Sequence, residues 1–180
     1  MLKRLTLLPS LLLIGCLGND AGINEVRQET QSIEEYLARE EIKQLKASYF
    51  RCLDTKNWTC IEALFTQDAE AIYSAGEDPD RLGSTANPII GPQAIADFIR
   101  QGVEHLVTVH HGHMPEISFT SATTAQGIWA MEDILQDPDT GINVVHGFGH
   151  YHETYQRIDG KWRIKTLQLT RLRADRTESD

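Results

Sequence analysis

Positive charge is scarce in this chain of 180 residues: 17 Lys and Arg stand against 26 Asp and Glu, for a net charge of −9. The basic residues are scattered, with no stripe that could displace the counterions of a phosphate backbone, and this argues against nucleic acid as a partner. Long apolar runs are missing too. Inside the body of the chain no segment reaches the roughly 20 apolar residues a membrane-spanning helix needs. There is no internal repeat and no low-complexity segment. Cysteine occurs only as Cys16, Cys52 and Cys60. What remains, 41% hydrophobic and 24% charged residues, is the composition of an ordinary folded domain, and the length suits one domain with its own core.

The N-terminus differs from the rest. Lys3 and Arg4 precede an apolar run over residues 5–15, too short to span a bilayer and in the order of a secretory signal. Its end, Leu13-Ile14-Gly15-Cys16, resembles the bacterial lipobox, whose cysteine is lipidated and becomes the new N-terminus. A plain cleaved signal or an uncleaved anchor are the alternatives. Cleavage before Cys16 removes Lys3 and Arg4 and takes the net charge from −9 to −11. Leu17, rather than Asp, follows the cysteine, which favours an outer-membrane lipoprotein facing the periplasm, held to the membrane only by its lipid. The expected organisation is a signal over 1–15, a polar tether over 16–32, a folded domain over 33–173 and a polar tail over 174–180. Cys52 and Cys60 could pair in an oxidising periplasm. Spacing alone does not settle connectivity, and two buried thiols on neighbouring helices are the preferred reading.

Within the body, Ile42, Leu45, Tyr49, Cys52 and Leu53 recur at three- and four-residue steps, which predicts a helix over 33–53 ending near Asp54. Thr59 and Glu62 fit a capping box for a second short helix. Residues 69–74 read as a strand, and 76–88, rich in Gly, Pro and Asp, as a loop. Gly91-Pro92 opens a third helix with Ile95, Phe98, Ile99 and Val103 on one side. From Leu106 the texture is β: strands near 106–111, 115–121, 123–136, 142–157 and 161–173, with turns at 137–141 and Asp159-Gly160. Three helices and a strand followed by antiparallel strands make an α+β fold, with the helices on one face of a curved sheet.

All seven histidines lie between His105 and His152, and three of them, His110, His111 and His113, fall within four positions. A metal reading pairs His111-x-His113 with Glu116 and adds His150-x-His152, loosely like a cupin, since imidazoles two apart on a strand share a face. A cupin is nearly all β, however, and no metal is expected here. A proton-transfer reading asks which histidine meets a carboxylate inside a pocket formed where the sheet curls around the first helix. The inward candidates are Tyr49, Asp54, Tyr73, one histidine of 110–113, and Asp133. Trp129, Met131 and Asp133 alternate onto one strand face, where a lone carboxylate would be costly without a partner. His111 should point opposite to His110, and His113 could turn back in if Gly112 marks a bulge. His146, His150 and His152 share one face of a later strand, and the outside is the preferred placement.

Four stretches, 42–69 (IKQLKASYFRCLDTKNWTCIEALFTQDA), 109–117 (VHHGHMPEI), 127–133 (GIWAMED) and 149–173 (GHYHETYQRIDGKWRIKTLQLTRLR), resemble the polyketide cyclase SnoaL-like branch of the nuclear transport factor 2-like superfamily. The resemblance implies a cone-shaped α+β barrel with a deep pocket. The residue pattern is closest to bile acid 7α-dehydratase, and this implies Tyr49, Asp54, Tyr73, His110 and Asp133 as the catalytic group and Arg173 as its C-terminal arginine. In that reading His110 is the base, Asp54 fixes its tautomer, and a tyrosine donates to a developing enolate. Asp133 relays the proton, and Arg173 pairs with Asp133 or with an anionic group of the substrate. Trp129, Met131 and His113 contact the substrate. The expected function is a cofactor-free lyase or isomerase of the dehydratase type, acting on a hydrophobic steroid-like or polycyclic hydroxy-ketone. The alternatives are a lipid-anchored binder of a small apolar ligand that turns nothing over, and the cupin-like metal site. A homo-oligomer formed through the open sheet face is also expected.

Overall fold

A computed structural model describes residues 20–73 and 87–177. The signal sequence, Cys16 and most of the 76–88 loop lie outside the described residues. The chain divides into two compact units, Met1–Glu34 and Glu35–Asp180. Described residues of the first unit are helical from Asp20 onward, as part of helix α1 (Asp20–Asp54), and every side chain described between 22 and 34 is exposed. The expected polar tether is therefore a helix over this stretch. Glu25, Arg27, Gln28, Glu29 and Gln31 are good helix formers, and no Pro or Gly interrupts the run after Gly22.

The second unit holds the rest of α1, then α2 (Trp58–Ala63), β1 (Phe65–Tyr73), β2 (Ile89–Ile90), α3 (Pro92–Val103), β3 (Val107–Gly112), β4 (Glu116–Ser121), β5 (Thr124–Gln136), β6 (Asn143–Ile158) and β7 (Lys161–Arg176). Ala38, Ile42, Leu45, Tyr49, Cys52 and Leu53 form the buried stripe of α1, as the sequence periodicity predicts. After Asp54 the chain reverses through Lys56, whose φ of 57° is left-handed. Asn57 donates its N–H to the Cys52 carbonyl at 2.8 Å and caps α2 with its side chain, which accepts from the Cys60 N–H at 3.1 Å. The cap thus lies two residues before the Thr59/Glu62 box. Folding α2 back in this way brings Cys60 within 5.9 Å of Cys52, Cα to Cα, and the two form a disulfide. The preferred reading of two free thiols is corrected by this turn.

The strands order as β2-β1-β7-β6-β5-β3, with β4 also on β5. β3 pairs with the 131–136 end of β5 and β4 with its 124–128 end. All pairs are antiparallel except β1 with β7, which is parallel, so the sheet is mixed. It curves but does not close into a barrel. The inner face carries Trp129, Met131, Tyr151, Tyr155, Trp162 and Ile164, all buried. Helix α1 packs on this face through Tyr49, whose ring meets those of Phe65 and Tyr151 edge-on at 6.2 and 6.0 Å.

Two irregularities in the β6–β7 ladder decide which side chains face inward. The register shifts between Thr154 and Tyr155 and again between Phe148 and Gly149. Each extra residue on β7 reverses the alternation of the residues beyond it. The buried positions accordingly change from Trp162 and Ile164 to Leu167 and Leu169.

Candidate active site

Thr108 and His110 are alternate residues of β3 and both are buried, whereas Val109 and His111 face out. The inward pair meets the last residue of α1. His110 Nδ1 lies 2.6 Å from Asp54 Oδ1. The His110 backbone N–H donates to Oδ2 at 3.0 Å, and the Thr108 hydroxyl donates to Oδ1 at 2.9 Å. Burial works to raise the Asp54 pKa. The hydrogen bonds and charge of His110, with the Thr108 hydroxyl, overcome it and hold the carboxyl below its ordinary value. Phe50 stacks over the imidazole, with ring centroids 6.4 Å apart and planes 12° apart. Because an ionised carboxylate can only accept, the neutral ring carries its proton on Nδ1 and its lone pair on Nε2.

Asp133 is the direct cross-strand partner of His110, and it is 2% exposed. Its partner is Arg171, which donates to Oδ1 at 2.8 Å and to Oδ2 at 2.5 Å. Burial works against the Arg171 charge; the carboxylate more than offsets it and raises the guanidinium pKa. Gly147 makes the room: a Cβ there would stand 2.2 Å from Asp133 Oδ1 and 2.3 Å from Arg171 Nη1. Arg173, the expected partner, is on the other face. The register shift that pairs Gly149 with Arg171 but Phe148 with Arg173 turns it outward, where it pairs with Asp175 at 2.6 Å.

Tyr49 and Tyr73 are buried with their hydroxyls 3.4 Å apart, and Tyr73 stacks on Phe98 of α3 at 5.3 Å. Burial pushes both pKa values up, so both are proton donors at neutral pH. Tyr151 is likewise pushed up by burial. Deeper in the core, Lys46 donates to Glu153 and lies 3.5 Å from the Tyr151 ring centroid. Tyr155 donates to the other Glu153 oxygen at 2.5 Å and accepts from Trp129 Nε1 at 2.8 Å. Trp129 is thus tied into the core, while Met131 touches Arg171 through its sulfur at 3.6 Å.

The other histidines stand apart. His113 is exposed; the β3 register runs unbroken through Gly112, so no bulge turns it inward. His111 and His146 flank Glu132 on the outer face at 3.5 and 2.7 Å, and His150 and His152 share that face at 6.2 Å. No three His, Cys, Asp or Glu side chains among the described residues converge as metal ligands would. A cleft of about 820 Å³, lined by Ile72, Gln126, Ile128, His152, Thr154 and Gln168 among others, lies on the outer sheet face and does not include the dyad.

The SnoaL-like domain model matches residues 34–168. The chain belongs to the SnoaL-like family. A relative of this SnoaL-like protein, the probable cyclase FGR4 of Gibberella zeae, is 23% identical over 137 residues, 73% of this chain and 89% of its own. Among solved structures, a candidate scytalone dehydratase of Novosphingobium aromaticivorans superposes with a TM-score of 0.70 at 19% identity, covering 83% of this chain and 93% of its own. The hexachlorocyclohexane dehydrochlorinase LinA-type3 of Novosphingobium barchaimii gives 0.67 at 17% identity, over 81% and 94%. At such identities the superpositions establish the fold. This architecture, with helices packed on one mixed sheet, differs from the nearly all-β cupin.

Two parts of the site were not legible as residues. The sequence resemblance points to Arg173 and the structure to Arg171, although Thr170-Arg-Leu-Arg173 offers both. The only available signal was that a regular strand puts the two arginines on one face. Lys56 and Thr108, which extend the Asp54 hydrogen bonds, carried no pattern of their own.

Proposed function

We propose that this SnoaL-like domain is a cofactor-free lyase or isomerase of the dehydratase type, acting on a hydrophobic steroid-like or polycyclic hydroxy-ketone. The observation that carries the reading is the half-buried Asp54–His110 pair, with His110 Nδ1 2.6 Å from the carboxylate. The resemblance of Tyr49, Asp54, Tyr73, His110 and Asp133 to the residue pattern of bile acid 7α-dehydratase supports it. So do the names of the relatives, since dehydration and dehydrochlorination are both eliminations.

The steps follow from the groups present. His110 Nε2 takes the proton next to the substrate carbonyl, and Asp54 stabilises the imidazolium that forms. Tyr49 or Tyr73, kept protonated by burial, donates to the enolate oxygen, where fixed donors contribute most. The enolate then re-forms the ketone, expels the β-hydroxyl and leaves a carbon–carbon double bond. The imidazolium returns its proton to the departing oxygen, which leaves as water. Asp133, with both oxygens held by Arg171, is engaged in that pair rather than free to relay the proton.

The test is turnover of a panel of hydroxy-ketosteroids and polycyclic hydroxy-ketones, followed by loss of the β-hydroxyl. His110→Ala and Asp54→Asn should each lower kcat/KM by about 10²–10⁴-fold, the usual contribution of a positioned general base. Turnover that survives both substitutions removes the dyad from the mechanism. Tight binding with no product across the panel makes the domain a binder instead.

A further inference from the structure

The turn after α1 combines two observations. Lys56 holds a left-handed backbone, φ 57°, which costs a side chain with a Cβ some steric strain and is sustained where the surroundings require it. Its Nζ donates to Thr108 Oγ1 at 2.8 Å, and the same Thr108 hydroxyl donates to Asp54 Oδ1 at 2.9 Å. An ammonium can only donate, and a hydroxyl has one proton. With Lys56 on a lone pair of Thr108, the hydroxyl proton is directed at Asp54, and each bond polarises the next.

The carboxylate is one that needs this. Asp54 is the last residue of α1, at the end of the helix where partial negative charge disfavours an anion. Burial lowers the Lys56 pKa, and the charge of Asp54 acts back on the lysine to offset part of that. Other charged groups facing the pair are already matched: Asp133, across from His110, is held by Arg171, and burial keeps Tyr49, Tyr73 and Tyr151 protonated.

We propose that Lys56 is a positioning residue of the Asp54–His110 pair: acting through the Thr108 hydroxyl, its ammonium holds the Asp54 carboxylate charged and aimed at His110. The proposal rests on that pair being the working one, and its test reads the pair directly, without substrate. In the full-length chain, carbon NMR follows the titration of the Asp54 carboxyl, and proton NMR follows the downfield Nδ1 proton of His110.

Lys56→Met should raise the Asp54 midpoint by about half a pH unit, the size of one solvent-screened charge acting from the far side of a hydroxyl, and should broaden or shift the Nδ1 proton. Lys56→Arg should restore both. Thr108→Val keeps the lysine charge but removes the relay, and should move the midpoint the same way as Lys56→Met. Lys56→Gly suits the left-handed backbone; it should raise the thermal midpoint of unfolding and still shift the titration as Met does. The overturning result is an Asp54 midpoint unchanged in both Lys56→Met and Lys56→Gly while only thermal stability moves. Lys56 would then be no more than a cation at the helix end. Tight binding with no product across the ketone panel would defeat the enzyme reading and leave these NMR shifts standing.

Discussion

Gly147 lacks a side chain because two others occupy its place. The Asp133–Arg171 pair fills the volume where a Cβ would sit, with contacts of 2.2 and 2.3 Å. The ends of both side chains could swing aside in open space, but Asp133 is 2% exposed and neither partner can leave without stranding a buried charge. Gly147→Ala should therefore cost about 1–3 kcal/mol, the usual range for overpacking a filled site. At Gly149 the obstacle is backbone, with the Thr170 carbonyl oxygen 2.0 Å from the added carbon, so Gly149→Ala should cost more. Urea unfolding of the two variants checks the order; a smaller loss at Gly149 would mean that the β6–β7 register slips to absorb the methyl group. Individual residues were legible where a physical cost announced them. A carboxylate alternating with Trp129 and Met131 had to have a partner, and it has one. The partner's identity was not legible, because one extra residue at Leu172 decides between two arginines and leaves no trace in composition. Interior glycines such as Gly147 and Gly149 can signal close approach in a strand, but not what approaches.

Elements were read well where periodicity is long and poorly where turn chemistry decides. Strands β3 to β7 fall within a few residues of their expected positions, because alternation and the turns at 137–141 and Asp159-Gly160 bound them. β1 begins at Phe65, four residues before the expected strand, since the exposed Gln67-Asp68 segment breaks the alternation. The α1–α2 corner differs from the sequence expectation in cap and in cysteine chemistry for one reason: a left-handed lysine, not a glycine, makes the reversal. The disulfide there ties the end of α1, two residues before Asp54, to α2. Closing so short a loop stabilises by about 2–3 kcal/mol in the chain-entropy account. Cys52→Ser with Cys60→Ser should lose that amount in chemical denaturation, and the same loss should follow when the unsubstituted chain is treated with a reductant. A double variant as stable as the parent would show that Asn57 and its hydrogen bonds to Cys52 and Cys60 suffice to hold the corner.

For the whole molecule, the division at Glu34 makes a separate claim. Every buried core residue described lies at Ala38 or beyond, and the described side chains from 22 to 34 are all exposed. Hydrophobic burial scales with the apolar area removed from water, so the described side chains from 22 to 34 contribute little of it. The residues proposed for chemistry, Tyr49, Asp54, Tyr73, His110, Asp133 and Arg171, also all lie in the second unit. A chain starting at Glu35 should then unfold within about 1 kcal/mol of the full-length chain, a difference typical of exposed segments that bury no core. It should also retain the downfield Nδ1 proton of His110. Differential scanning calorimetry and proton NMR on the two lengths test this together. A large loss of stability would mean that the 20–34 segment stabilises α1 by more than its exposed side chains indicate. An intact melt with the proton lost would mean that the segment matters to the end of α1, and through it to Asp54.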